Sequence, residues 1–273
     1  MTQSRNVFST QSPVVLGLDF GGTKIAIAVC DLSGNRVGET VLATQAAAGA
    51  SSAFDRAIAA ARELLATATH DRELVAVAAA TFGVPFDDRV ELAPAIPGWE
   101  TFAFGLASAI VAGGAVISGA HGAAGEIGYN VREPADVGKS PAERITLEDV
   151  VSGKALVAIA DTEFGAETSV AEIFDRATTE PAAARIVEAF TRELAQHVVN
   201  LAIAVDPARI AVGGGLARSW AIIAPRLREA LDAAVPFPPD LVLAQFPFDA
   251  PLIGALALGV EAAAAVVGEE ALR

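Results

Sequence analysis

One carboxylate, Asp19, then Gly21, Gly22, Thr23 and Lys24 stand between two apolar runs in the stretch Val15–Val29. The flanking runs read as a strand and a returning strand joined by a tight turn. Gly21 and Gly22 allow positive φ and leave the turn without side chains. Backbone N–H groups can then approach an anion, with Thr23 and Lys24 as further donors. A carboxylate at a strand end facing such a loop suits Mg²⁺–phosphate chemistry. An ordinary Gly-Gly hairpin would have the same letters.

Three more stretches carry chemistry. Gly119–Tyr129 packs small residues around one carboxylate, Glu126. Such a loop lets backbone lie flat against a ligand while Glu126 accepts hydrogen bonds from hydroxyls. A Gly-rich surface loop is the plain alternative. Leu147-Glu148 opens a predicted helix with an acidic first turn, which complementing the helix dipole would explain on its own. Asp206–Leu216 is a strand running into Gly213, Gly214 and Gly215 before a helix. That turn can seat a flat nucleoside, and equally it can be a plain strand-to-helix turn.

These residues need elements to hold them. Strands are expected near 14–20, 25–31, 36–43 and 74–81, with a turn at Ser33-Gly34-Asn35. A helix is expected over 52–68, capped by Ser51 or Ser52. Segments 102–112 and 115–118, split by Gly113-Gly114, read as a hairpin. Helices are expected at 147–161, 170–178 and 182–205. The last has Ile186, Phe190, Leu194, Val198, Leu201 and Val205 at helical spacing. A strand at 209–213, a helix from Ser219 to 234, a strand near 241–246 and a helix at 250–267 complete an α/β order.

Bulk composition narrows the partners. The 273 residues are 53% hydrophobic and carry a net charge of −14. A phosphate polymer would be repelled, so nucleic acid is not expected, whereas small phosphates remain compatible. The one cysteine, Cys30, lies in an apolar strand, and His70, His121 and His197 are far apart in sequence, so no metal-ligand cluster is expected. No stretch reads as a signal peptide or a membrane span, and the expectation is a cytoplasmic protein with no membrane partner.

In order and spacing, these motifs resemble the ROK family, sugar kinases and sugar-responsive repressors of the actin-like ATPase superfamily. Asp19-Phe-Gly-Gly-Thr-Lys24 resembles the first phosphate loop, and Leu92-Ala-Pro-Ala-Ile-Pro-Gly-Trp99 a sugar loop. Gly122-Ala-Ala-Gly-Glu126 and Leu147-Glu148 resemble two sugar-contacting segments. Ile210-Ala-Val-Gly-Gly-Gly215 resembles the adenosine motif, and Pro251-Leu-Ile-Gly-Ala255 the closing helix.

The resemblance implies an α/β fold of two RNase H-like (actin-like ATPase) domains with an interdomain cleft. After a flexible tail, 1–12, the domains would be 13–100, shortened, and 101–273. ATP and Mg²⁺ would bind between the two sheets and a hexose at the base of the cleft. Asp19, Gly21, Gly22, Thr23 and Lys24 would hold Mg²⁺ and phosphate, and Gly213, Gly214 and Gly215 the adenosine. Gly125, Glu126, Tyr129 and Glu148 would hold the sugar. Only thirteen residues precede Val14, so the winged helix of the repressors is expected to be absent. A homodimer is a further implication.

The departures from the family concentrate where chemistry would occur. The family's Asn-Asp pair, whose Asp is the general base, is not found between residues 83 and 125. Pro97-Gly-Trp-Glu100 is followed at once by Thr101–Ile110, which resembles the second phosphate loop. The resemblance implies a helix, the Asp-bearing strand and a further helix between them, which this sequence does not show, as a deletion or as an incomplete sequence would explain. That loss would expose a sheet edge near 74–81. Phe104 stands at the phosphate loop's Thr position, Ala107 and Ala109 at glycine positions, Ala95 at the sugar-contacting Asn, Phe86 at a Gly, and Tyr129 at a His. Residues 131–145 hold no cysteine, so no structural zinc is expected. General-base assistance is typically worth about 10²–10⁴-fold, so phosphoryl transfer would be impaired or lost. A sugar kinase-like protein with such a site, and a non-catalytic sugar- or nucleotide-binding regulator of the same fold, both remain open. The catalytic residue is unassigned.

Overall fold

Strand β1 (Ser12–Phe20) is apolar on both faces, and the structure, a computed structural model, places it inside a sheet covered on both sides. The residues described are 12–68, 72–81, 84–85, 90–91, 106–165 and 168–267. They fall into two units, one within 1–103 and 249–273, the other within 104–248. The expected boundary at 100/101 left the last helix, Ala250–Val267, with the second half. It packs instead on β1 of the first unit.

In the first unit, β1, β2 (Lys24–Asp31), β3 (Arg36–Ala43), helix α1 (Ala50–Ala68) and β4 (Arg72–Thr81) follow in order. The sheet runs β3-β2-β1-β4, antiparallel except for the parallel pair β1–β4. Alternation decides the faces. Val14, Leu16, Leu18 and Phe20 point to α1 and meet Ala53, Ala57 and Ala61. Val15, Ala26, Ala28 and Cys30 face the last helix and meet Leu252, Leu256 and Ala263. That helix lies close because glycines face it. A Cβ on Gly17 would sit 2.7 Å from Leu256 Cδ2, and one on Gly259 2.4 Å from Val15 Cγ1.

The turn at Ser33–Asn35 forms as expected, with Asp31 accepting from the Ser33 and Asn35 N–H groups at 2.9 Å each. Ser51 and Ser52 do not cap α1, which begins at Ala50 after a 3₁₀ turn, Ala46–Ala48, and a positive-φ Gly49. Among the described residues, β4 is the outer strand of its sheet, and Leu74 and Val77 on it are exposed. Two short strands, β5 (Val84–Pro85) and β6 (Val90–Glu91), pair with each other.

The second unit opens with a minimal hairpin, β7 (Val111–Ala112) and β8 (Ala115–Val116), turned by Gly113 and Gly114 at φ 59° and 82°. It is shorter than the expected 102–112/115–118 pair, of which 102–105 lie outside the described residues. Helices α2 (Gly153–Phe164), α3 (Val170–Arg176), α4 (Pro181–Val205) and α5 (Trp220–Ala234) enclose one core. Phe190, Leu194 and Val198 of the predicted stripe are buried in it, with Phe174 edge-on to Phe190 at 6.3 Å. Strands β9 (Arg209–Val212) and β10 (Asp240–Leu243) pair in parallel.

Helix α2 starts six residues later than expected. Ser152 accepts the Ala155 N–H at 3.1 Å and is the cap, so Leu147-Glu148 is a turn and not a helical first turn. Dipole complementarity at Glu148 falls with it. Among the described residues, no helix is long and apolar enough to cross a membrane.

Candidate functional site

The second unit builds one site from a glycine turn upward. Ser108 donates its N–H and its hydroxyl to Gly125 O, at 2.7 and 3.0 Å. Gly125 has φ +94°, and a Cβ there would lie 1.9 Å from Ser108 O, so this position admits only glycine. The turn delivers Glu126 to the start of a 3₁₀ turn, Ile127–Tyr129, whose Ile127 and Gly128 are buried. Leu147 N–H then donates to Gly128 O at 3.1 Å, which brings Glu148 alongside. Asp149 Oδ2 holds that second turn by accepting from Thr146 N–H and Oγ1 at 2.8 and 2.7 Å.

Glu126, Tyr129 and Glu148 therefore form one electrostatic group. The Tyr129 phenol is pushed up to about 12, by burial first and then by the charges of Glu126 and Glu148. Burial also pushes the Glu126 carboxyl above its usual range. Two half-buried carboxylates and a phenol that stays protonated at neutral pH give acceptors and a donor at one place. That array suits a ligand rich in hydroxyls.

A scaffold that sequence reasoning did not find backs this group. Arg144 donates to Asn130 O at 2.9 Å and to Tyr129 O. Asn130 Nδ2 donates to Nδ1 of buried His197, on α4, at 3.1 Å. Burial foremost lowers the His197 pKa, with Arg132 adding to it and Glu193 opposing, so the ring stays neutral and can accept that bond. Arg132 pairs with Glu193 beside it. These partners lie 14 and 67 residues apart in sequence and leave no local signal.

The glycine triplet sits elsewhere in the same unit, past the C-terminal end of β9. Gly214 has φ 82° and donates its N–H to Pro247 O at 2.6 Å. Gly213, Gly214 and Gly215 are exposed, and a 3₁₀ turn, Gly215–Ser219, leads into α5. A bare turn at the carboxyl ends of parallel strands is where α/β sheets take ligands.

In the first unit, Asp19 lies half-buried near the end of β1. Burial pushes its carboxyl up, Lys24 opposes this, and Asp249 adds to it. Lys24 Nζ also lies 3.6 Å from Asp249 Oδ1, a pairing with no local signal in the sequence. Gly21 and Gly22 do not use the positive φ that glycine allows. Glycine is needed at 21 for a different reason: its N–H donates to Lys24 O at 2.9 Å, and a Cβ would stand 2.8 Å from that oxygen. Thr44 pins the loop by donating its N–H to Thr23 O at 2.9 Å and its hydroxyl to Gly21 O at 2.6 Å. Gly22 and Thr23 are exposed. Phe86, Ala95, Pro97–Trp99 and Phe104 lie outside the described residues.

This architecture closely follows a ROK family glucokinase from Streptomyces griseus solved with glucose and AMPPNP. The TM-score is 0.70 at 23% identity, over 91% of this chain and 99% of that one. The fold is thus the α/β fold of the ROK sugar kinases, of the actin-like ATPase type. The ROK family pattern matches residues 100–262, more than half of the chain, and the chain belongs to the ROK family. The bifunctional enzyme NanE/NanK of Brucella melitensis is 33% identical over 156 residues, 56% of this chain and 29% of that protein. The N-acetylmannosamine kinase of Escherichia coli O139:H28 is 29% identical over 161 residues, 58% of this chain and 54% of that protein. The alignments thus span under a third of the first relative and about half of the second.

Proposed function

We propose that this chain binds a hexose-type sugar and ATP–Mg²⁺ and transfers the phosphoryl group weakly or not at all. The observation that carries the sugar part is the convergence of Glu126, Tyr129 and Glu148 on one scaffold. The two carboxylates accept from sugar hydroxyls. The Tyr129 phenol, pushed up to about 12, stays a donor throughout the physiological range. Gly125 supports the turn that holds Glu126 in place.

For the nucleotide, Asp19, Gly21, Gly22, Thr23 and Lys24 would take the Mg²⁺–phosphate end and Gly213, Gly214 and Gly215 the adenosine. Mg²⁺ keeps most of its waters and needs only one or two carboxylates. Asp19 fits: it is desolvated beside a second carboxylate, Asp249, and a bound cation would offset both charges. The ion would supply neutralisation of phosphate charge. Lys24 contributes a further positive charge, and Gly22 and Thr23 their exposed backbone.

The general base is what the chain lacks on this reading. The family's Asn-Asp pair is not found, and neither Glu126 nor Glu148 stands in its sequence context. A binding protein that senses sugar or nucleotide is the second reading, supported by the retained glycine turns at Gly125 and Gly214.

N-acetylmannosamine and glucose are the first sugars to try, since one relative is named for the former and a similar structure holds the latter. ADP release should be assayed with each sugar beside the Escherichia coli N-acetylmannosamine kinase. Turnover at least about 10²-fold lower is expected, the low end of what general-base assistance contributes. Turnover equal to that of the kinase would overturn the impaired reading.

A further inference from the structure

Two arginines in this protein lie over phenylalanine rings, and they differ in what their donors do. Arg176 sits 3.8 Å over the Phe164 ring, and its Nε and Nη2 are committed to Glu180 at 3.0 and 2.7 Å. That pair is structural and closed. Arg218 sits 4.4 Å over the Phe248 ring, and no hydrogen bond or ion pair occupies its guanidinium among the described residues. Arg218 is exposed and Phe248 is 38% exposed.

The open pair stands at the glycine triplet. Arg218 belongs to the 3₁₀ turn that begins at Gly215. Phe248 follows Pro247, whose carbonyl accepts the Gly214 N–H at 2.6 Å. A Cβ on Gly213 would lie 3.5 Å from both Ala244 Cβ and Pro247 O, so the 244–248 segment packs directly on the turn. The turn itself offers flat backbone and no side chains. A flat ligand resting on it would have beside it an exposed planar cation that lies over an aromatic ring. Guanidinium planes stack well on aromatic rings and on nucleobases.

We propose that Arg218, backed by Phe248, is the stacking platform for the base of a nucleotide seated at Gly213–Gly215. This inference rests on the nucleotide-binding reading above and assigns the residues that recognise the base. Phe248 holds the guanidinium flat, and Arg218 presents its outer face. The pair favours nucleotides with a large aromatic base and is indifferent to the phosphate chain.

The test is calorimetric titration of the full chain with ATP–Mg²⁺, adenosine and inorganic tripolyphosphate–Mg²⁺. R218A, R218K and F248L should be compared with the wild type, with melting curves confirming that each variant folds. Base stacking on a side chain is worth roughly 5- to 150-fold in affinity on truncation. R218A is therefore expected to weaken ATP and adenosine by that factor and by the same ratio, leaving tripolyphosphate unchanged. R218K keeps the charge, loses the plane and should fall almost as far, while F248L should lose less. Wild-type binding of ATP that R218A and R218K leave intact overturns the platform and spares the nucleotide reading. Equal losses for ATP and tripolyphosphate overturn it too, because they make Arg218 a phosphate contact. A wild type that binds neither ATP nor adenosine overturns both.

Discussion

A methyl group added at Gly125 would land 1.9 Å from Ser108 O, whereas one added at Gly21 would stand 2.8 Å from Lys24 O and one at Gly215 would meet nothing within 4 Å. The three turns proposed to face ligands are therefore built to different tolerances. The Glu126 turn is locked by Ser108, by the Leu147 bond to Gly128, by Arg144 and by the Asn130–His197 bond. The Asp19 loop is held at its base by Thr44 and is exposed at Gly22 and Thr23. Locked side chains lose little freedom when a ligand arrives, and loose loops lose more. On the proposed function, the preorganised half of recognition falls to the sugar segment and the adaptable half to the phosphate loop.

The largest effect tests the lock itself. G125A combines a backbone clash with a positive φ, and a loss of about 3 kcal/mol or more is expected by chemical denaturation. G21A should cost about 1 kcal/mol, since a single contact must give. G215A should be neutral in stability. If G125A and G21A were equal, the contrast between the turns would fail.

Next comes the charge group around Tyr129, the only tyrosine in the chain. Tyrosinate absorbance after rapid pH jumps reports this residue alone, and its midpoint is expected at about 12. E126Q and E148Q should each move it down toward the ordinary value of about 10. The folded pKa is raised, so the unfolded chain releases the phenolic proton first. Stability is accordingly lost as pH rises from about 10 to about 12. A midpoint near 10 in the folded wild type would separate Tyr129 from the two carboxylates.

N130A removes the bond to His197 behind the site and should cost about 1 kcal/mol, read from denaturant midpoints. The smallest effect is in the charges themselves. Asp19 and Glu126 have folded pKa values raised by burial, so the ionised forms at neutral pH reduce stability. D19N and E126Q should melt slightly higher than wild type at pH 7, by less than about 1 kcal/mol. The difference should vanish as pH falls below the ordinary carboxylate values, where both groups are protonated in the folded and unfolded chain. Lower melting of both variants at pH 7 would contradict burial as the cause.

Much of this was legible in local pattern. The β1–β2 runs, the turn at Gly34 and helix α4 follow from alternation, a glycine and helical spacing, which act within a few residues. The start of helix α2 is not legible in the sequence, because Leu147-Glu148 looks like an acidic first turn. The cap is Ser152, and Leu147 is instead bonded across to Gly128. The closing helix was legible as a helix but not as a partner of β1, since Gly17 and Gly259 show their fit only when the two surfaces meet. The site residues carried their chemistry in their letters. Arg144, Asn130, His197 and Asp249 did not, because their roles depend on tertiary pairing.

On the proposed function, Glu126 and Glu148 bind a sugar. The most direct measurement is calorimetric titration of the wild type, E126Q and E148Q with N-acetylmannosamine and with glucose, with and without ATP–Mg²⁺. Saturable binding of at least one sugar by the wild type, weakened at least about tenfold in each variant by loss of a charged hydrogen bond, is the predicted result. Wild-type binding that both variants retain unchanged, or no binding of either sugar in any condition, would contradict it.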